Sequence, residues 1–303
     1  MKFILAGGTG FIGQALREHL TEAGHEVVVL TRRAALEDKP GICMRYAAWN
    51  PPAAGAWEEE LDGANGVINL AGEAIVGKRW TAEQKKRIAR SRIDATRAIV
   101  DGLARAKQKP ALLINASAVG YYGFTQDEEL TESSPAGNDF LATTCKAWEA
   151  EALRAESFGV RVVLLRTGVV LEKNGGAIQK MLPPFRLGLG GPLGDGKQWM
   201  SWIHLDDLVG LILFAIEGNN VRGALNGTAP NPVRMKEFTR TLGRVLHRPA
   251  FFPVPAFLLR TLLGEMADIL LKGQRVFPRR ARELGYAFRF TELEPTLKEI
   301  LRP

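Results

Sequence analysis

Three hydroxyl-bearing side chains fall within six residues of one another: Ser117, Tyr121 and Tyr122. A serine hydroxyl at a strand end can polarise a carbonyl oxygen, and a phenol can give or take a proton. The chain has only four tyrosines. Tyr46 lies in an early loop-rich region and Tyr286 in the tail, so acid/base work by a phenol falls to Tyr121 or Tyr122. The alternatives are a Ser117 hydroxyl satisfied by nearby backbone, and tyrosines that pack or touch substrate. Cys145 becomes a nucleophile only with a lowered pKa. No partner is assignable, so core packing is the expectation. His204 precedes Asp206 and Asp207, but none of the four histidines shows a ligand pair at helical spacing, so no metal is expected. We expect a structural role for His204 and a helix cap from Asp206.

The elements that must position these groups begin at the amino terminus. Phe3-Ile4-Leu5-Ala6 is an apolar run of strand length, and Gly7, Gly10 and Gly13 follow at three-residue spacing. Gly7 allows a sharp exit from the strand, Gly10 lets backbone approach a pyrophosphate, and Gly13 lets the following helix pack on the sheet. Phosphates would sit at the helix amino terminus, where free N–H groups favour anions. A second strand, Glu26-Val27-Val28-Val29-Leu30, arrives on schedule and ends in Thr31-Arg32-Arg33. An acidic residue there would favour NAD by bonding the ribose 2′-hydroxyl, whereas a guanidinium suits a 2′-phosphate. NADP is therefore the expected cofactor, with Phe11, Ile12, Thr31, Arg32, Leu70, Ala71, Gly72 and Arg166 joining Gly7 and Gly10 as its contacts. Lys146 is read either as reaching a ribose or as a solvated helix lysine.

Composition narrows the class. The chain has 303 residues, 46% hydrophobic and 24% charged, as in ordinary globular proteins. A net charge of +7 favours acidic or phosphorylated ligands, and a small, anionic substrate is the expected partner. The cations are scattered without a nucleic-acid motif, so no nucleic acid is expected. Two cysteines, Cys43 and Cys145, without metal spacing fit a reducing compartment. The first strand begins at residue 2, and the longest apolar run, Leu208 to Ile216, is short of the roughly 20 residues that span a bilayer. These features read as cytoplasmic, with no membrane partner; oligomeric state is left open.

Strands and helices alternate from residue 2 to about 170, which implies an α/β fold with a doubly wound parallel sheet of Rossmann type. Residues 1–170 form the expected NADP-binding domain, with segments at about 200–230 returning to the sheet. Residues 171–303 form mainly a small α/β carboxyl-terminal substrate lobe and tail. Trp80 to Ala106 reads as a long helix whose Lys85, Lys86, Arg87, Arg90 and Arg92 look like a solvated face. Val160 to Leu171 reads as one strand. Pro183-Pro184 and the glycines from Gly188 to Gly196 read as a turn-rich binding loop or lid. Pro40, Gly41, Pro51 and Pro52 mark a loop-rich stretch. Lys78, Arg79, Trp80, Arg186, Lys197 and Trp199 are candidates to line a substrate pocket.

Gly7-Gly8-Thr9-Gly10-Phe11-Ile12-Gly13, Asn69-Leu70-Ala71-Gly72, Ser117 with Tyr122-Gly123, Arg166-Thr167-Gly168 and Trp202-Ile203-His204-Leu205-Asp206-Asp207 occur in that order. The chain thus resembles the extended short-chain dehydrogenase/reductase superfamily. More closely it resembles the atypical epimerase family proteins of the bacterial YfcH type, through Lys78-Arg79-Trp80, Cys145 with Trp148-Glu149, Met181-Leu182-Pro183-Pro184-Phe185 and Gly273-Gln274-Arg275. That resemblance implies an NADP-binding Rossmann domain and a small carboxyl-terminal lobe. It also implies a Tyr-x-x-x-Lys acid/base pair, which is missing. Anchored on Lys146, the tyrosine position holds Ala142; anchored on Glu149, the pair becomes Leu141 and Cys145. The leading expectation is an NADP-dependent oxidoreductase passing hydride to a small molecule under the 183–203 loop. The alternatives are a non-catalytic, regulatory NADP(H)-binding protein and a nucleotide-sugar epimerase.

Overall fold

Runs such as Phe3-Ile4-Leu5-Ala6 and Val27-Val28-Val29-Leu30 are apolar on both faces, the composition of strands covered from above and below. In the computed structural model, which describes residues 1–32 and 43–302, they lie in a seven-stranded parallel sheet. Arg33, Pro40 and Gly41 fall outside the described residues. The first strands are β1 (Lys2–Ala6), β2 (Glu26–Thr31), β3 (Met44–Ala48), β4 (Gly66–Asn69) and β5 (Leu112–Ala118). Short β6 (Glu129–Leu130) stands apart, and β7 (Arg161–Thr167) rejoins the sheet. Beyond it, β8 (Val169–Glu172), β9 (Trp199–Met200) and β10 (Trp202–His204) form small pairings, and β11 (Gly223–Gly227) completes the sheet. The strand order is β3-β2-β1-β4-β5-β7-β11. Direction of winding therefore reverses between β1 and β4, and a ligand crevice opens at the carboxyl ends of strands at such a reversal.

Alternation along β1 assigns the two faces. Phe3 and Leu5 pack with Leu16 and Leu20 of α1 (Phe11–Glu22). Ile4 and Ala6 point the other way, to Ala95 and Ile99 of α2 (Ala82–Arg105) and Ala152 of α3 (Phe140–Leu153). A third core joins α4 (Gly176–Arg186) to the carboxyl-terminal lobe through Leu182, Phe185, Trp202, Phe238, Leu242 and Leu297.

Three expectations are corrected. The Val160–Leu171 strand is broken: Gly168 donates to Gly227 in the sheet, but Val169 donates to Ser201, and β8 pairs with β10 instead. Pro183 and Pro184 are not in a loop but in the last turn of α4, where each lacks the N–H that would bond back to the preceding turn. Asp206 does not cap α5 (Leu205–Glu217); its own N–H donates to His204 Nδ1 at 3.0 Å, so His204 is the capping residue.

Candidate functional site

At the winding reversal, the exits of β1 and β4 meet. Gly7 has φ +81, and a Cβ there would lie 2.7 Å from the Leu70 carbonyl carbon, so only a glycine lets the two turns touch. A Cβ on Gly13 would overlap the Gly7 carbonyl oxygen, so α1 packs against the turn itself. Gly10 begins α1 with no side-chain cap. The first N–H groups of the helix thus retain their bonding capacity at the crevice. The β4 exit is fixed by a buried amide network. Asn69 donates to Asn115 Oδ1 at 2.7 Å and Thr96 Oγ1 at 2.9 Å, Trp148 donates to Thr96 at 2.8 Å, and Asn69 Oδ1 accepts from the Ala71 N–H.

These pieces line a cleft of about 880 Å³. Of the expected cofactor contacts, Gly7, Gly10, Thr31, Arg32, Leu70, Ala71 and Gly72 all border it. Phe11 and Ile12 turn their side chains to the core, which leaves their backbone at the helix start as the part available to a ligand. Lys86, Arg87 and Arg90, read from sequence as a solvated face of α2, also line the cleft, as do Trp49, Glu73, Lys78 and Ser91. A helix wheel cannot distinguish bulk water from a water-filled cleft, so periodicity gave no signal for them. Lys85 instead pairs with Glu265 of the carboxyl-terminal lobe. Arg92 turns inward beneath Gly72, donating to the carbonyls of Glu73 and Ile88 at 3.0 Å each, and burial pulls its pKa down. It is a half-buried cation against Gly72, where the sequence placed it on the solvated face.

The candidate catalytic hydroxyls lie deeper, in a closed network. Ser117 donates to Glu149 Oε1 at 2.6 Å, and Arg166 clamps both Glu149 oxygens at 2.8 Å. Burial works to lower the Arg166 pKa, but its bonds to Glu149 and Tyr122 outweigh that and hold it above the ordinary guanidinium range. Arg166, expected as a cofactor contact, is therefore placed inside the protein as the counter-ion of Glu149, and it does not border the cleft. Tyr122 accepts from Arg166 at 3.1 Å and donates to Asn226 Oδ1 at 2.6 Å, and burial pushes its pKa up to about 12. With its proton donated to Asn226 and the residue 3% exposed, Tyr122 is committed to this network. Tyr121 is half-buried, with the Arg166 guanidinium 3.4 Å from its ring centre.

The positions left by the missing acid/base pair are equally plain. Ala142 is buried in α3 and Lys146 lies on its exposed side. Cys145 is buried, and desolvation, reinforced by Glu149, pushes its pKa up to about 12. Cys145 is accordingly expected to resist iodoacetamide at neutral pH in the folded protein, while exposed Cys43 reacts; peptide mass spectrometry checks this, and labelling of Cys145 at the Cys43 rate would contradict the packing. Among the other pocket candidates, Trp80 is buried and donates to Ile75 O, and Arg79 lies against Gly264 of the carboxyl-terminal lobe. Trp199 is held between Arg234 and Arg275.

Relatives share this architecture. The chain is 44% identical over 311 residues to the epimerase family protein SDR39U1 homolog, chloroplastic, of Arabidopsis thaliana, covering 100% of this chain and 87% of that one. It is 42% identical to the epimerase family protein YfhF of Bacillus subtilis, covering 99% and 98% of the two chains. A crystal structure of human epimerase family protein SDR39U1 with NADPH superposes with a TM-score of 0.88 at 39% identity, covering 99% of each chain. Residues 254–300 match a domain of unknown function, DUF1731. Residues 3–226 match the NAD dependent epimerase/dehydratase family, and with the crevice at the β1/β4 reversal the chain belongs to that family.

Proposed function

We propose that the protein binds NADP(H) in the β1/β4 cleft and is an oxidoreductase acting on a small, anionic molecule. The observation that carries this reading is the juxtaposition of the Gly7 turn, the uncapped start of α1 and Arg32 on one cleft. The residues fit the dinucleotide. Gly10 leaves open the space where a side chain would stand, Gly7 lets the Leu70 turn close against it, the α1 N–H groups suit a pyrophosphate, and Arg32 at the end of β2 suits a 2′-phosphate. The human relative solved with NADPH supports the same reading. Bound there, the nicotinamide supplies the hydride. The chain's own residues hold it, and Lys78, Lys86, Arg87 and Arg90 draw anions to the cleft mouth. Within the family we read the chain as of the YfcH type, and as cytoplasmic from its free cysteines; no described helix is long and apolar enough to cross a membrane.

Removing the Arg32 guanidinium is expected to weaken NADPH binding about 10-fold, the order of one charge-assisted phosphate contact, and to leave NADH nearly unchanged. Calorimetric titration of Arg32→Ala beside the parent measures both. Equal affinity of the parent for the two cofactors would sink the assignment.

With Ser117 donating to Glu149 and Tyr122 to Asn226, Tyr121 is the remaining candidate acid among the three hydroxyls. Tyr121→Phe is expected to slow single-turnover hydride transfer by about 100-fold, within the usual range for a general acid. An unchanged rate would favour the second reading, a non-catalytic NADP(H)-binding regulator, whose support is the sealed Ser117–Glu149–Arg166 network.

A further inference from the structure

Away from the cleft, one lobe carries a second charged concavity. It is a groove of about 970 Å³ along α6 (Met235–Val245) and the residues after it. Arg234, Lys236, Arg240, Arg244, His247 and Arg248 line it, against one acid, Glu237. Arg234 and Arg244 are paired, with Asp127 and Glu294. Among the described residues Lys236, Arg240 and Arg248 have no carboxylate partner, and all three are exposed. The opposite face of α6 is committed to the core through Phe238 and Leu242. The charged face is therefore fixed in place by packing, not loosely presented.

An apolar strip adjoins the groove. Phe251 belongs to the groove lining, and its ring lies 4.7 Å from that of Phe252. The segment 248–254 is tied to the segment 186–192. Arg248 donates to Arg186 O, Phe252 N–H to Gly190 O, and Val254 N–H to Pro192 O. Leu187 and Leu189 stand on the 186–192 segment, and α7 (Ala256–Leu263) directly continues the 248–254 segment with Phe257, Leu258 and Leu262 outward. Seven of the nine exposed large hydrophobic side chains among the described residues lie on this strip. A monomer scatters such residues, and their concentration marks a docking surface.

We infer that this face docks an acidic, apolar-anchored segment of a partner protein, with carboxylates along the α6 groove and aliphatic or aromatic side chains on the Phe251–Leu262 strip. Charge selects the occupant. A second copy of this chain would bring two cationic grooves together, and like charges facing each other cost affinity. A lipid headgroup plane is flat, whereas the unpaired cations line a groove of about 970 Å³. Acid-motif recognition by an arginine cluster is a recurrent way of reading a peptide, and apolar anchors beside it set register.

A random peptide library displayed on phage and selected on the full-length protein tests the inference. The enriched peptides are expected to combine Asp or Glu with Leu, Ile or aromatic residues. Affinity of the best enriched peptide should fall about 10-fold or more for Lys236→Glu and for Arg240→Glu, with a smaller loss for Phe251→Ser. These side chains are exposed and outside the cofactor cleft, so NADPH affinity and the thermal midpoint should match the parent. Enriched peptides with no acidic bias, or unchanged affinity in both charge reversals, would overturn the inference. So would co-sedimentation of the parent with phosphatidylglycerol vesicles without peptide enrichment, which would assign the face to a membrane.

Discussion

Gly13→Ala is expected to abolish measurable NADPH binding, weakening it at least 100-fold, or about 2.7 kcal/mol. The added methyl would overlap the Gly7 carbonyl oxygen and crowd the Gly8 backbone, neither of which is a flexible side-chain end that can swing aside. Relief requires α1 to move off the turn, and the α1 N–H groups are the proposed pyrophosphate contacts. The same overpacking should cost about 1–3 kcal/mol of stability. Isothermal titration and denaturant melts on one preparation separate the two effects. A variant that melts like the parent and binds NADPH as well would refute the assigned role of the turn. Gly7→Ala should be comparable, because it adds a left-handed strain of about 1–2 kcal/mol to the clash with Leu70.

Glu149→Ala carries the second large effect. Glu149 and Arg166 are both buried, with side chains 6% and 5% exposed, and the deletion leaves an uncompensated guanidinium and a Ser117 hydroxyl without its acceptor. Breaking such a pair from one side costs about 3–5 kcal/mol. Glu149→Leu combined with Arg166→Met should recover most of that, since a well-packed apolar replacement removes both charges together. Urea denaturation of the three proteins gives the comparison. If the single variant loses less than about 1 kcal/mol, the pair is not the internal clamp described above.

Much of the cofactor half was legible because its signals are local. An apolar run of strand length, glycines at fixed offsets and a guanidinium at the end of the next strand depend on neighbours a few residues away. The doubly wound parallel sheet, expected from the alternation of strands and helices, is the fold observed. What escaped was long-range. Arg166 reads from sequence as a strand cation that contacts the cofactor, and nothing local says that Glu149, on a helix ending before that strand, will reach it. Gly168 looked like an interior residue of a strand, because period-two patterning names no hydrogen-bond partner; Val169 finds Ser201, more than 30 residues on. Arg92 and Arg87 share the α2 basic run, yet one turns in, half-buried, against Gly72 and the other borders the cleft. The vacancy of the Tyr-x-x-x-Lys positions was visible in the sequence. The Ser117–Glu149–Arg166 network was not, since its members come from two separate strands and a helix.

The last strand of the sheet, β11, has a consequence for synthesis. It pairs with β7 along Gly223↔Val163 through Gly227↔Thr167, and its Asn226 holds the Tyr122 hydroxyl. A nascent chain that has emerged only as far as β7 therefore presents Val162-Val163-Leu164-Leu165 as an open apolar edge between Arg161 and Arg166. An apolar, unpaired edge of that kind recruits other strands. At ribosomal rates of about 5–20 residues per second, the wait for residues 223–227 lasts seconds, longer than hairpin closure or local collapse. During that interval the growing chain is exposed to aggregation, and chaperone occupancy should concentrate there.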